Sequence, residues 1–99
     1  MTLKKLAKIR ADLVSMQLNA QGCTESDLIE IAKRLRRHRT TTRGKEPTYV
    51  REHDPILQPP LSIPAHGKNM KIGTTKNIIF MLLNDVDVWQ QHLDQQEDA

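Results

Sequence analysis

The chain has 99 residues, which bounds it to one small domain. With 37% hydrophobic residues and one each of Tyr49, Phe80 and Trp89, its core is thin. No apolar run approaches the ~20 residues of a membrane span, and the lone Cys23 excludes an internal disulfide framework. Leu3 to Leu18 is interrupted by Lys4, Lys5, Lys8, Arg10 and Asp12, so it does not read as a signal peptide, and a reducing cytoplasmic setting is the expectation.

Taken in chain order, Thr2 is a good N-cap, and Leu3, Leu6, Ile9, Leu13 and Met16 recur at helical spacing. They predict an amphipathic helix ending near Ala20, with Gly22 as its stop. A second helix starts at Thr24-Glu25-Ser26-Asp27, capped by Thr24 or Ser26, with Leu28, Ile31 or Ala32, and Leu35 on its apolar face. Arg34, Arg36 and Arg37 fall in its expected last turn, where cations complement the helix dipole. Thr40-Thr41-Thr42, Thr48-Tyr49-Val50 and Leu61-Ser62-Ile63 read as short strands. Pro59, Pro60 and Pro64 flank the last of these and put it at a sheet edge. A loop from Ala65 to Gly73 follows, and Thr74 or Thr75 is expected to cap a third helix. Its buried face is Ile78, Ile79, Leu82, Leu83 and Val86, widened by Phe80 and Met81, with Trp89 closing the core and the chain frayed from Asp94. The expected fold is therefore α+β: a small antiparallel sheet with helices on one face. Its α-β-β-β-α core is the arrangement of double-stranded-RNA-binding domains.

The formal charge of +3 conceals segregation. Lys33 to Arg51 holds eight basic residues against the single acid Glu46, whereas Asn84 to Ala99 holds five acids and no Lys or Arg. A dense basic block beside an acidic tail favours a polyanion partner, nucleic acid first. The helix dipole accounts for the arginines expected in the second helix. It does not account for Arg39, Arg43, Lys45 and Arg51. His38, His53, His66 and His92 lack metal-ligand spacing and no phosphate-loop motif is present, so neither metal nor cofactor is expected. Cys23 precedes a helix N-terminus, which can lower a thiol pKa, although a lone cysteine is more often a small hydrophobe. Tyr49 is a candidate for base stacking or, more simply, for strand packing.

From Leu61 to Leu83 the chain reads LSIPAHGKNMKIGTTKNIIFMLL: a strand ending in Ile63-Pro64-x-His66, a basic loop, Gly73-Thr74 and an Ile/Leu-rich helix. Upstream stand a helix over Ser26 to Arg37 and the stretch Arg43-Gly44-x-x-x-x-Tyr49, a glycine turn followed by a strand. Over residues 24–85 this arrangement resembles the HicA family, small bacterial toxins of type II toxin–antitoxin systems. The resemblance implies a double-stranded-RNA-binding-like fold, mRNA interferase activity, an RNA partner and an antitoxin protein. It makes residues 1–22 an N-terminal helical extension, 23–90 the core domain and 91–99 an acidic flexible tail.

One departure bears on activity. The family's catalytic histidine lies three residues before an aromatic or apolar strand position, and counting back from Tyr49 reaches Glu46. Proton abstraction from a ribose hydroxyl suits a group with a pKa near ~6.5, as histidine has, better than one near ~4.3. Two readings follow: the fold binds RNA or protein and has lost cleavage, or Glu46 acts as base with His66 as the alternative. The expected RNA-binding set is Arg39, Arg43, Lys45, Arg51, Lys68, Lys71 and Lys76. A homodimer through the Leu3–Met16 stripe is the remaining possibility, against the plainer one that this stripe covers the protein's own sheet.

Overall fold

The structure is a computed structural model that describes residues 1–40, 47–55, 60–64 and 71–97. Its elements are α1 (Leu3–Leu18), a 3₁₀ turn (Ala20–Gly22), α2 (Glu25–Arg34), β1 (His38–Thr40), β2 (Thr48–Val50), β3 (Leu61–Ser62) and α3 (Ile72–Glu97). Three helices and a three-stranded antiparallel sheet of order β1-β2-β3 give the α+β architecture expected.

Thr2 caps α1 by accepting from the Lys5 amide at 3.1 Å. Of the apolar stripe, Leu6, Ile9 and Leu13 are buried, Met16 packs against the core and Leu3 does not belong to it. The stripe is buried within the protein, but chiefly against α3 and not on the sheet that the plainer reading expected it to cover. Thr24 and Asp27 form a reciprocal capping box at the start of α2. That helix ends earlier than the basic run suggests: Leu35 is its C-cap, and Arg36 sits in the left-handed region at φ 65°. The Arg36 amide donates to Lys33 O and the Arg37 amide to Ala32 O, the paired bonds of a Schellman stop. Only Lys33 and Arg34 therefore remain in the last turn; Arg36 and Arg37 lie beyond it.

β1 begins two residues before the expected Thr40, with His38, Arg39 and Thr40 opposite Val50, Tyr49 and Thr48. Thr41 and Thr42 lie outside the described residues. β3 is an edge strand, as its flanking prolines imply, and the Ile63 amide extends its ladder by donating to Pro47 O at 3.2 Å. Tyr49, Leu61 and Ile63 are buried while Ser62 is exposed, so one face of the sheet meets the helices.

α3 departs from expectation at both ends. It starts at Ile72, ahead of either threonine; Thr75 is buried in the first turn and bonds back to Lys71 O. It runs through Glu97, past the point at which fraying was expected, because Leu93 is still buried at 8% exposure and anchors the last turns. Phe80, placed on the core face from its spacing, is 58% exposed. Ile79 and Leu82 instead supply the fully buried contacts, against α1 for the most part and β3 at one end. α1 and α3 run antiparallel: Leu18 shares a surface cleft with Ile72, Arg10 bonds to Asp87 at 3.0 Å, and Leu3 shares a cleft with Leu93.

Candidate nucleic-acid interface

The basic block divides into an inside and an outside. Arg37 follows the α2 stop and Arg51 follows β2, and both point into the core, each at 4% exposure. Between them stands Asp85 of α3, fully buried. Arg37 Nε donates to Asp85 Oδ2 at 2.9 Å, and Arg51 donates through Nη1 and Nη2 to both carboxylate oxygens at 3.0 and 2.7 Å. Three further bonds go to main-chain oxygens: Arg37 Nη1 to Tyr49 O, Arg51 Nη1 to Leu35 O, and Arg51 Nε to Pro55 O. Trp89 lies under the Arg51 guanidinium at 4.9 Å and donates its indole N–H to Leu35 O at 3.1 Å. The cluster ties the α2 stop, the end of β2 and the middle of α3 into one unit.

Arg51 was expected on an RNA-binding surface, and this geometry corrects that. Four of the five N–H donors of this guanidinium are taken by a bidentate carboxylate and two carbonyls, and the buried side chain does not face a phosphate. Asp85 is corrected likewise: it belongs to the core, not to an acidic solvated end. Tyr49, 3% exposed, is strand packing and offers no ring to a base.

Four other cations gather outside. Lys5 and Lys8, one turn apart on α1, face Arg34 and Arg36 at the end of α2 across a cleft of about 320 Å³ floored by Met1 and Ile9. Asp12 is its one acid among the described lining and neighbours, bonding Arg34 at 2.7 Å and Lys8 at 3.3 Å. The Arg34 guanidinium, with Lys8 beside it, holds the Asp12 carboxyl below the usual carboxylate range. The crowding registers on the Met1 amino group, whose pKa is lowered by desolvation and then by Arg36 and Lys5. This cluster was not among the expected site residues. Its signal was present, in Lys5 and Lys8 at helical i,i+3 spacing, but nothing in the sequence said that this flank of α1 would lie along the end of α2.

Of the expected set, Arg39 is exposed on β1, and Lys71 and Lys76 are exposed at the start of α3. α3 has no acid in its first turn, so these lysines add to the positive end of the helix dipole. Lys76 lies beside Gln17, Leu18 and Gln21, at the opposite end of α1 from Lys5. Lys71 and Lys76 thus both stand at the start of α3, five positions apart, and neither joins the four-cation cleft. Arg43, Lys45 and Lys68, with the catalytic candidates Glu46 and His66, lie outside the described residues.

The other titratable groups suggest no second chemistry. His38 Nε2 is 3.7 Å from Glu52, both exposed. The Cys23 thiol is within 3.7 Å of Met16 O and 3.6 Å of Asn19 O, and burial together with nearby Asp27 pushes its pKa up, against activation by the helix N-terminus. Among the described residues no group of His, Cys, Asp and Glu could hold a metal ion, and no helix is long and apolar enough to cross a membrane. Comparison with protein-family models, curated proteins and solved structures gives no match to this chain.

Proposed function

We propose that the protein is an RNA-binding module of HicA-like, toxin–antitoxin type that binds without cleaving. The observation that carries the binding is the cleft between α1 and α2, where Lys5, Lys8, Arg34 and Arg36 converge with Asp12 as their counter-charge. A second cationic point, Lys76 near the acid-free N-terminus of α3, lies at the other end of α1. Lys5 and Leu18 are 13 positions apart, so at 1.5 Å per residue the two points are separated by about 20 Å. Cations at that spacing suit the backbone of a structured polynucleotide, which presents phosphates at many places along its length. Double-stranded RNA is recognised mainly through shape, phosphates and 2′-hydroxyls, which asks for a charged, contoured surface and not a base-reading helix. An acidic segment of an antitoxin is the protein partner the same cations would accept.

Binding without cleavage rests on residue chemistry. Glu46 stands where the resemblance places a histidine, and a carboxylate is both a weaker base at neutral pH and a repulsive neighbour for phosphate.

The test is binding of a structured RNA at two ionic strengths, beside incubation with a long transcript. Affinity falls steeply as salt rises, because counterion release drives association, and Lys5→Glu or Arg36→Glu each flattens the salt slope by about 1. The transcript survives intact with the parent protein and equally with Glu46→Ala and His66→Ala. Absence of binding at low salt removes the proposal. Cleavage that either alanine variant abolishes replaces it with the interferase reading.

A further inference from the structure

Asp12 shows how this chain holds an anion between α1 and α2. Its carboxylate takes Arg34, at the end of α2, at 2.7 Å and Lys8, one turn back on α1, at 3.3 Å. It thereby satisfies half of the cleft. The other half repeats the cations without the carboxylate. Lys5 lies one turn before Lys8, and Arg36 lies two residues beyond Arg34. The i,i+4 position that serves Lys8 is Asp12; the corresponding position for Lys5 is Ile9, 2% exposed in the cleft floor. Among the described residues neither Lys5 nor Arg36 has a carboxylate within ion-pair distance or an acceptor for its side-chain N–H groups. Their fields meet, since both lower the pKa of the Met1 amino group. The Arg36 guanidinium lies over Trp89 at 5.9 Å, a contact that uses the face of the fork and leaves its N–H edge unspent.

We infer that the Lys5–Arg36 half of the cleft seats one phosphate group, which completes there the bridge that Asp12 makes in the other half. The seat rests on the reading of this cleft as an RNA contact and names what enters it. Phosphate suits the position better than a second carboxylate. Two unpaired cations meet a terminal phosphate of about 1.5 to 2 negative charges with three acceptor oxygens, where a carboxylate brings a single charge. Those oxygens reach both walls at once, and the arginine edge matches two of them. Asp12 sets the boundary. Its carboxylate occupies Arg34 and Lys8 and repels a second phosphate, so the cleft takes one group and not a run of backbone.

The test is a titration of the full chain with sodium phosphate at constant ionic strength, followed by backbone amide NMR. The Lys5 and Arg36 amides shift and saturate with one phosphate per chain. Lys5→Gln and Arg36→Gln, both at exposed positions, weaken this binding about tenfold, whereas Lys8→Gln stays within about twofold of the parent. Asp12→Asn releases Arg34 and Lys8 and admits a second phosphate. A titration without saturable shifts overturns the inference, and so does one that Lys8→Gln impairs as much as Lys5→Gln. A peptide of Asp and Glu that displaces phosphate mole for mole overturns the choice of ligand.

The source of the phosphate is read from one RNA prepared with a 5′-phosphate or a 5′-hydroxyl. A preference of about fivefold for the phosphate, lost in Lys5→Gln, names the chain end. Equal affinities with the same loss name an internal phosphate. RNA bound as tightly by Lys5→Gln as by the parent overturns the seat and leaves RNA binding in place. A phosphate seat in a chain that binds no RNA at low salt does the reverse.

Discussion

Trp89 has a guanidinium on either account of the basic block: Arg51 at 4.9 Å from its ring and Arg36 at 5.9 Å. The first is buried with a carboxylate and two carbonyls; the second is exposed at the rim of a cationic cleft. Two arginines fifteen positions apart, in one basic stretch and beside one indole, thus do opposite work. Arg51 holds three elements together and cannot reach a ligand. Arg36 meets the Trp89 ring but makes no guanidinium hydrogen bond among the described residues, and its charge faces the cleft. In this protein the assignment of a basic residue to fold or to binding depends on whether its donors already have partners.

The sharpest way to break that contrast is at Asp85. Asp85→Ala strands two buried guanidinium groups, a loss of roughly 3–5 kcal/mol. A domain of this size has about 5–15 kcal/mol in all, so urea unfolding of the variant should show a much earlier midpoint or no folded baseline. If its midpoint is unchanged, the cluster is not the brace described. Replacing the trio together, Arg37→Met/Asp85→Leu/Arg51→Met, should restore most of the stability, since removing every member of a buried ionic cluster is far less damaging than removing one. Trp89→Phe is next in size. It deletes the bond to Leu35 O and weakens the face under Arg51, for about 1–2 kcal/mol by the same measurement.

Arg36→Gly should move stability and binding in opposite directions. Glycine adopts the left-handed φ of the Schellman stop without the side-chain penalty, so the variant gains about 1 kcal/mol, which loss of the Trp89 contact partly offsets. It also loses one cation of the cleft, and RNA affinity at low salt should fall several-fold. A variant that loses both would mean that Arg36 is structural after all.

The smallest effect is at Asp12. Its carboxyl is held below the usual range by Arg34, so its proton is bound more weakly in the folded than in the unfolded chain. The stabilisation this gives is complete above the unfolded-state pKa and is lost as pH falls through the lower folded value. Because the Asp12 side chain is 30% exposed, salt screens the pair and the contribution is slight. Acid unfolding in low salt should begin at a marginally higher pH for Arg34→Gln than for the parent chain, and the difference should shrink at high salt.

Periodicity and capping chemistry were enough to place the starts of α1 and α2 and the whole of β2, because the Thr2 cap, the Thr24–Asp27 box and the β-branched run around Tyr49 are local signals. The edge position of β3 was legible from its prolines for the same reason. What could not be read locally was where each helix stopped and what its off-stripe residues met. Arg36 enters the left-handed region because a Schellman stop needs one residue there, yet no glycine marks it. Lys5 and Lys8 become half of a cleft only because the end of α2 lies along that flank of α1. Asp85 and Arg51, 34 positions apart, look like solvated charges in the sequence and are core residues in the fold. Sequence alone determined the elements and their order, since those depend on neighbours within one or two turns. The division of the charges into brace and binding surface was decided by tertiary structure, since burial and partnership are properties of residues distant along the chain.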